Sequence, residues 1–493
     1  MRSIRPSRGP RPGLLSRCLL AAVLAGWSTL PAGAQTRRSV TPGDGESALA
    51  AVLPEVRARL AGGERVELVL APGDYRSALD LRFDEPVDGR LTLRSAGQGT
   101  ARLTRARPLG PGWEPVNFRT WRFLLPPEAV LDPEPVLFYG DVRLEMNPNR
   151  AALDVWQVFL DRDRRELVLA VPEDAELDPA RMDVVYPEPD SLPLITLSGL
   201  AAVTLKGLTV ERFSGREAAV RVENCDRVAL RRLSVTDTGG TGLSLVACGK
   251  VSGLDLVVDR NGNGGLRIQQ ADTVALGRSY FRFNGSYGLT LASVAGARLY
   301  RITVSDQPAD GLILRGDGAH TVQDSVFGHN GGVHVRTAGP VATIDSTRIA
   351  FGGGTGLLVE AGSVRCVDSI IYDAGAFAVR AREAAGLSLR DSIVVAGETE
   401  PFGVVAIGEE TTYRGSGNLF FGLGEFIAFR HAKRDTAFAA WQEAVESDLD
   451  SLVGDPAFAD PEAFEFLPGF QSPWFRKNDW PVRQLPGGAG NDR

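Results

Sequence analysis

GLSLVACGKVSGLDLVVDRNGNG (242–264), GLRIQQADTVALGRSYFRFNGSY (265–287) and GLTLASVAGARLYRITVSDQPAD (288–310) are consecutive lines of one chain, each opening on Gly-Leu. The openers Gly242, Gly265, Gly288 and Gly311 recur every 23 residues. The pattern weakens but persists outward, beginning at Ala219 on one side and reopening at Gly332, Gly356 and Phe377 on the other. A fixed period of this length marks a solenoid, whose units cannot bury their apolar faces alone and must stack.

The pattern within each line selects the type of solenoid. Leu243 and Leu245, Leu266 and Ile268, and Leu289 and Leu291 alternate with other residues, the period of a strand with one buried face. A second alternating run follows, broken in its middle, as in Val228, Leu230, Leu233 and Val235. Each unit therefore supplies three short strands joined by Gly, Asn and Asp turns. Between 195 and 405 no stretch carries a 3.6-residue apolar stripe, which disfavours helical repeats. The expectation is an all-β parallel β-helix with about nine coils from Ile195 to Val405.

These coils resemble the right-handed parallel β-helix proteins of the pectate-lyase-like superfamily. The resemblance covers most of the chain and is specific for fold, not chemistry. It implies a carbohydrate connection, since that superfamily holds polysaccharide lyases, glycoside hydrolases, uronate epimerases and members that only bind. A short helix over the solenoid's end, before the first strand, is expected from the same resemblance.

Residues 1–34 read as a secretory signal peptide: Arg2, Arg5, Arg8, Arg11 and Arg17, then CLLAAVLAGW, then Ala32-Gly33-Ala34. The apolar run is too short to span a membrane, so a secreted, extracellular or periplasmic protein with no transmembrane segment is expected. Losing that segment removes five of the 54 basic residues and none of the 61 acidic ones, moving the net charge from −7 to −12. An acidic chain without a Lys/Arg run is a poor partner for nucleic acid.

The remaining divisions follow composition. Residues 35–107 read as an N-terminal cap and first coil, with a helix from about Glu46 to Leu60 ended by Gly62-Gly63. Residues 108–190 break the period, are rich in Pro and Trp, and read as a β-rich insertion. It resembles the insertion of some glycoside-hydrolase-like β-helix proteins, in which a strand leads into Arg-x-Pro-Asn. Here Met146-Asn147-Pro148-Asn149 lacks the arginine. The coils occupy 191–425. A cap and tail, with a helix from Thr436 to Val445, fill 426–493.

Polar columns can be read from the period. Asp324-Ser325, Asp345-Ser346, Asp368-Ser369 and Asp391-Ser392 place serines inward and aspartates outward, a structural ladder. Cys225 and Cys248 fall one coil apart at one place in the repeat, open to a disulfide or to two stacked thiols. Asp259-Arg260-Asn261-Gly262-Asn263-Gly264 matches half of a calcium loop but has Gln270 where the acid belongs, so its Asn and Gly read as turn residues. No cofactor is indicated; the resemblance leaves calcium, which related lyases use, open elsewhere in the chain.

Chemistry on such a fold lies on an outward row and its adjoining turns. The register places Arg221, Ser244, Arg267, Thr290, Ile313, His334 and Leu358 outward on the first strand, with Arg315 and Arg336 two residues on. The catalytic candidates are Asp306, Asp310, His329 and His334, with Asp259 in reserve; Arg267, Arg315 and Arg336 are the substrate-binding candidates. Arginines suit a carboxylated sugar, a lyase or epimerase needs a base beside them, and a hydrolase needs two carboxyls. A non-catalytic glycan-binding or envelope-surface protein, and a purely structural solenoid, remain the alternatives. The polysaccharide is the expected partner in the first two.

Overall fold

The structure, a computed structural model, describes residues 35–474 apart from 43–46, 98–99, 133, 174, 187–191, 383–384, 398–403, 409, 423–425, 429–432, 436–437 and 470. The expected signal peptide, the tail beyond 474 and His431 lie outside the described residues.

The chain winds into a parallel β-solenoid whose coils lay one strand segment in each of three sheets. In the first sheet Leu243, Leu266, Leu289, Leu312, Val335, Leu357 and Val379 stand in one column, all paired in parallel. In the second, Val228, Val251, Val274, Ala297, His320 and Ala342 do the same. The third stacks Val235, Val258, Phe281, Val304, Phe327, Ile349, Ile371 and Val394. Leu266–Arg282 and Leu289–Ser305 run through all three sheets without a break. The inward columns merge into one continuous core that also takes Leu49, Val56 and Leu60 of the helix Ser47–Ala61.

Two polar ladders fix the corners. Between the third and first sheets, Thr238 donates to Asn261 Oδ1, Asn261 to Asn284 Oδ1, the Asn284 N–H to Gln307, and the Gln307 N–H to Asn330. Each rung is buried, so each supplies the partner its neighbour's backbone would lack. Between the second and third sheets, Ser279, Ser325, Ser369 and Ser392 accept the N–H of the coil below. In the coil of Asp345, however, Thr347 is the inward rung and Ser346 is the left-handed corner residue. The rungs Ser325, Thr347 and Ser369 follow at 22 residues, which puts the ladder on Thr347 and not on Ser346.

The pairing also corrects the first-sheet register. His334, not Gly332, occupies the opener position above Gly311, and Ala378, not Phe377, follows Gly356. The openers are Gly because the column leaves no room: a Cβ at Gly265 would run into the carbonyl of Gly288. At His334 the imidazole turns inward over Gly352. Arg336 therefore belongs in the row of Ile313 and Leu358, and Ala338 holds the place beyond Arg315.

The insertion folds as two small sheets around Trp113, Phe123, Leu137, Leu167 and Leu169. It enters from the third-to-first corner, directly before Ile195–Lys206. At the far end, Trp441 of the helix Phe438–Val445 is buried in the solenoid core. The hairpin Phe458–Asp460 and Glu465–Pro468 packs on the third sheet through Phe464, Phe466, Tyr372 and Phe351. Cys225, Cys248 and Cys366 are free and buried. No helix among the described residues is long and apolar enough to cross a membrane.

Candidate functional site at the third-to-first corner

The structure separates the candidate residues of the first sheet. His334 is 0% exposed. Asn330 Nδ2 lies 3.0 Å from its Nδ1, and since that amide also donates to Val304 O, Nδ1 is the acceptor and the ring is neutral. Burial, assisted by nearby His329, pushes its pKa down to about 3. It is an interior imidazole and cannot serve as a surface base. Asp310 is also committed: it accepts the Val333 N–H and pairs with Arg336 at 2.8 Å, while Arg336 reaches Glu360 at 2.9 Å. Arg267 and Arg315 are exposed and have no ion pair among the described residues. The outward face between them carries Thr290, Ala292 and Ile313, with no free acid.

Asp306 and His329 belong to a different column. Each coil turns from the third to the first sheet through one residue in the left-handed region, in order Arg212, Asp237, Arg260, Phe283, Asp306, His329, Phe351 and Asp373. The left-handed backbone is disfavoured for side-chain-bearing residues. It is retained because the next residue is thereby turned inward onto the Asn ladder. The corner side chains themselves project outward and stack at about 4.8 Å per coil. His329 stacks on Phe351 at 5.3 Å and meets Phe464 of the C-terminal hairpin edge-on.

Lower in this column the charges alternate and converge. Arg260 grips Asp237 two-pronged, Nε to Oδ1 and Nη2 to Oδ2 both at 2.9 Å, and its Nη1 donates to Asp259 Oδ2 at 3.0 Å. One guanidinium thus holds two carboxylates. Arg282, one coil above Asp259, brings Nη2 to 3.6 Å of the same oxygen. Asp259 is 4% exposed and Asp237 9%. The second oxygen of Asp259, Oδ1, is buried with no hydrogen-bond partner. Burial pushes the Asp259 carboxyl above the usual range, Asp237 adds to this, and Arg260 and Arg282 oppose it. A buried carboxylate with an unsatisfied oxygen is costly and needs an explanation in the site's chemistry.

Two exposed rings flank this pair on the next coil: Tyr280, 39% exposed, with Arg282 over its face, and Phe283, 53% exposed. On one side stands the insertion, anchored by buried Arg212, and on the other the C-terminal hairpin around His329. Among the described residues no group of three or more His, Cys, Asp or Glu is placed to hold a metal ion. Read from the sequence, Asp259 holds only a reserve place and Arg260 is not identified as its partner. The signal available was the corner column itself, with Asp237 and Arg260 23 residues apart.

Comparison with known proteins agrees on fold. Residues 218–398 match a family described as right handed beta helix region. The solved complex of XylC with xylose aligns over 86% of this chain and 87% of that chain, with a TM-score of 0.54 and 10% identity. A glycoside hydrolase structure aligns over 83% of this chain and 98% of that one, at TM-score 0.46 and 11% identity. The A-module of the Azotobacter vinelandii mannuronan C-5 epimerase AlgE6 aligns over 82% of this chain and 93% of that one, at TM-score 0.41 and 14% identity. No curated protein matches the sequence. By its fold, the chain is a right-handed parallel β-helix protein.

Proposed function

We propose that this is an exported polysaccharide hydrolase whose acid pair is Asp237 and Asp259. The observation that carries the reading is the contrast within that pair. Asp259 is buried, burial raises its pKa, and one of its oxygens has no partner, while Asp237 is held on both oxygens by Arg260. Two adjacent carboxyls in unlike environments suit the division of acid and base work in glycoside hydrolysis. Asp259 gives its proton to the glycosidic oxygen as the anomeric C–O bond breaks. Asp237 takes a proton from the water whose oxygen joins the anomeric carbon. Each bond cut consumes one water and yields one new reducing end. Tyr280 and Phe283 supply apolar faces for sugar rings beside the acids. That the XylC structure of similar fold carries a bound xylose supports a carbohydrate ligand.

Lyase chemistry has less support, because it needs a base at the surface. His334 is interior, and His329, although exposed, stacks on Phe351 with Phe464 at its edge, in a different column from Arg267 and Arg315. One observation favours a non-catalytic glycan binder instead: Arg260 neutralises both acids in tight ion pairs. Assays of reducing-end release from neutral and uronate-containing polysaccharides separate the two. Asp259→Asn and Asp237→Asn are each expected to lower turnover at least about a hundredfold while binding persists. Full turnover in both variants defeats the acid-pair assignment, and binding without reducing ends in the wild type selects the binder.

A further inference from the structure

Arg212 opens the corner column in which Asp237 and Arg260 follow, yet it faces the insertion and is itself buried. Its Nη1 donates to Asp183 Oδ2 at 2.5 Å and its Nη2 to Gly140 O at 2.5 Å, with Asp141 Oδ1 at 3.4 Å. Its guanidinium also lies 4.5 Å from the centre of the Phe138 ring. Four groups from two strands and a turn of the insertion therefore converge on one solenoid side chain. This fixes the hairpin turn at Gly140-Asp141 over the lower end of the acid-pair column. The Asp141 side chain itself is 100% exposed, so its carboxylate has room to meet a ligand.

We infer that the insertion forms one wall of the site and that Asp141 accepts hydrogen bonds from sugar hydroxyls there, selecting neutral over carboxylated glycan. The inference rests on the acid-pair reading for its location. Its chemistry follows from the local charge. Around Arg212 and Arg260 stand five carboxylates, Asp141, Asp183, Glu211, Asp237 and Asp259. The guanidiniums of Arg212 and Arg260 are already engaged by them, Arg282 is turned to Asp259 Oδ2 at 3.6 Å, and an exposed Asp141 would repel a sugar carboxylate. The charge of Asp141 is also felt by Arg260, which places it within electrostatic reach of the acid pair.

The test compares wild type, Asp141→Asn and Asp141→Arg on neutral polysaccharides (xylan, glucan, mannan) and carboxylated ones (polygalacturonate, alginate). Arg212 keeps Asp183 and the Gly140 carbonyl in both variants, and their thermal midpoints check that the fold persists beside the lost Asp141 contact. The expected result is a KM on the neutral substrate about tenfold higher in Asp141→Asn, with kcat unchanged. Asp141→Arg should gain affinity for the carboxylated glycans. An unchanged KM in Asp141→Asn, or a wild type that prefers carboxylated glycan, overturns the inference. Should Asp259→Asn keep its turnover while Asp141→Asn still raises KM, the acid pair falls and the wall stands. A wild type that neither binds nor cleaves any of these glycans removes both.

Discussion

Asp259 carries the pH dependence of the account. Its protonated form is the active one, so kcat/KM should fall as pH rises through its raised pKa. Arg282 opposes that rise, and Arg282→Gln should therefore move the falling limb to higher pH. Asp237 contributes to it, so any residual activity of Asp237→Asn should show the limb at lower pH. A pH–rate profile of each variant checks the signs. The linkage to stability runs the same way. The folded chain holds this proton more tightly than the unfolded one, so the contribution is present in acid and lost as pH rises through the folded pKa.

His334 acts in the opposite direction. Its folded pKa is depressed to about 3, so its contribution is present above the unfolded value of 6.5 and is lost as pH falls. Between pH 6.5 and 5 the loss is about 2 kcal/mol for one such histidine. Buried His320, also pushed down by burial, adds in the same direction. Denaturation midpoints should fall over that range in the wild type and fall less in His334→Ala. A slope unaltered by the substitution contradicts a neutral interior imidazole. His334 was misread from sequence because it replaces the Gly of its column just where Gly331-Gly332 offers a decoy.

The corner ladders are the elements on which the site depends. Asn284 accepts from the N–H and the side-chain amide of Asn261 and donates to Val258 O. Asn284→Ala would orphan all three buried groups, at a cost of about 2–4 kcal/mol. A shift of the urea midpoint measures it, and a shift near zero denies the ladder its structural role. The Asn ladder was readable from the sequence as stacked turn residues because its coils keep a strict period. The ion-pair column beside it was only half readable: the period makes Asp237 and Arg260 vertical neighbours, but nothing in it says that Arg260 also reaches Asp259 or that Asp259 is buried. The place of His329 was equally hidden. Its partner Phe464 comes from the C-terminal hairpin, far outside the repeat.

At the scale of the whole molecule, the stacked coils seal the interior. Burial raises the thiols of Cys225, Cys248 and Cys366 to about 12, 11 and 12. A thiol reagent should leave all three untouched in the native protein and titrate all three in denaturant. Rapid native labelling of any one would mean that its coil opens. The overall winding was legible in Gly242, Gly265 and Gly288, since a period of one coil makes vertical neighbours of residues far apart in sequence. The site's walls were not legible. They are built by the insertion and the C-terminal hairpin, which lie outside the repeat and reach the corner only through tertiary packing.

The corner site is tested most directly by a crystal structure of Asp259→Asn soaked with a neutral oligosaccharide. The account predicts sugar density along the corner column, with rings on Tyr280 and Phe283 and one hydroxyl at Asp141. Density lying instead across Arg267 and Arg315 on the first sheet would contradict it.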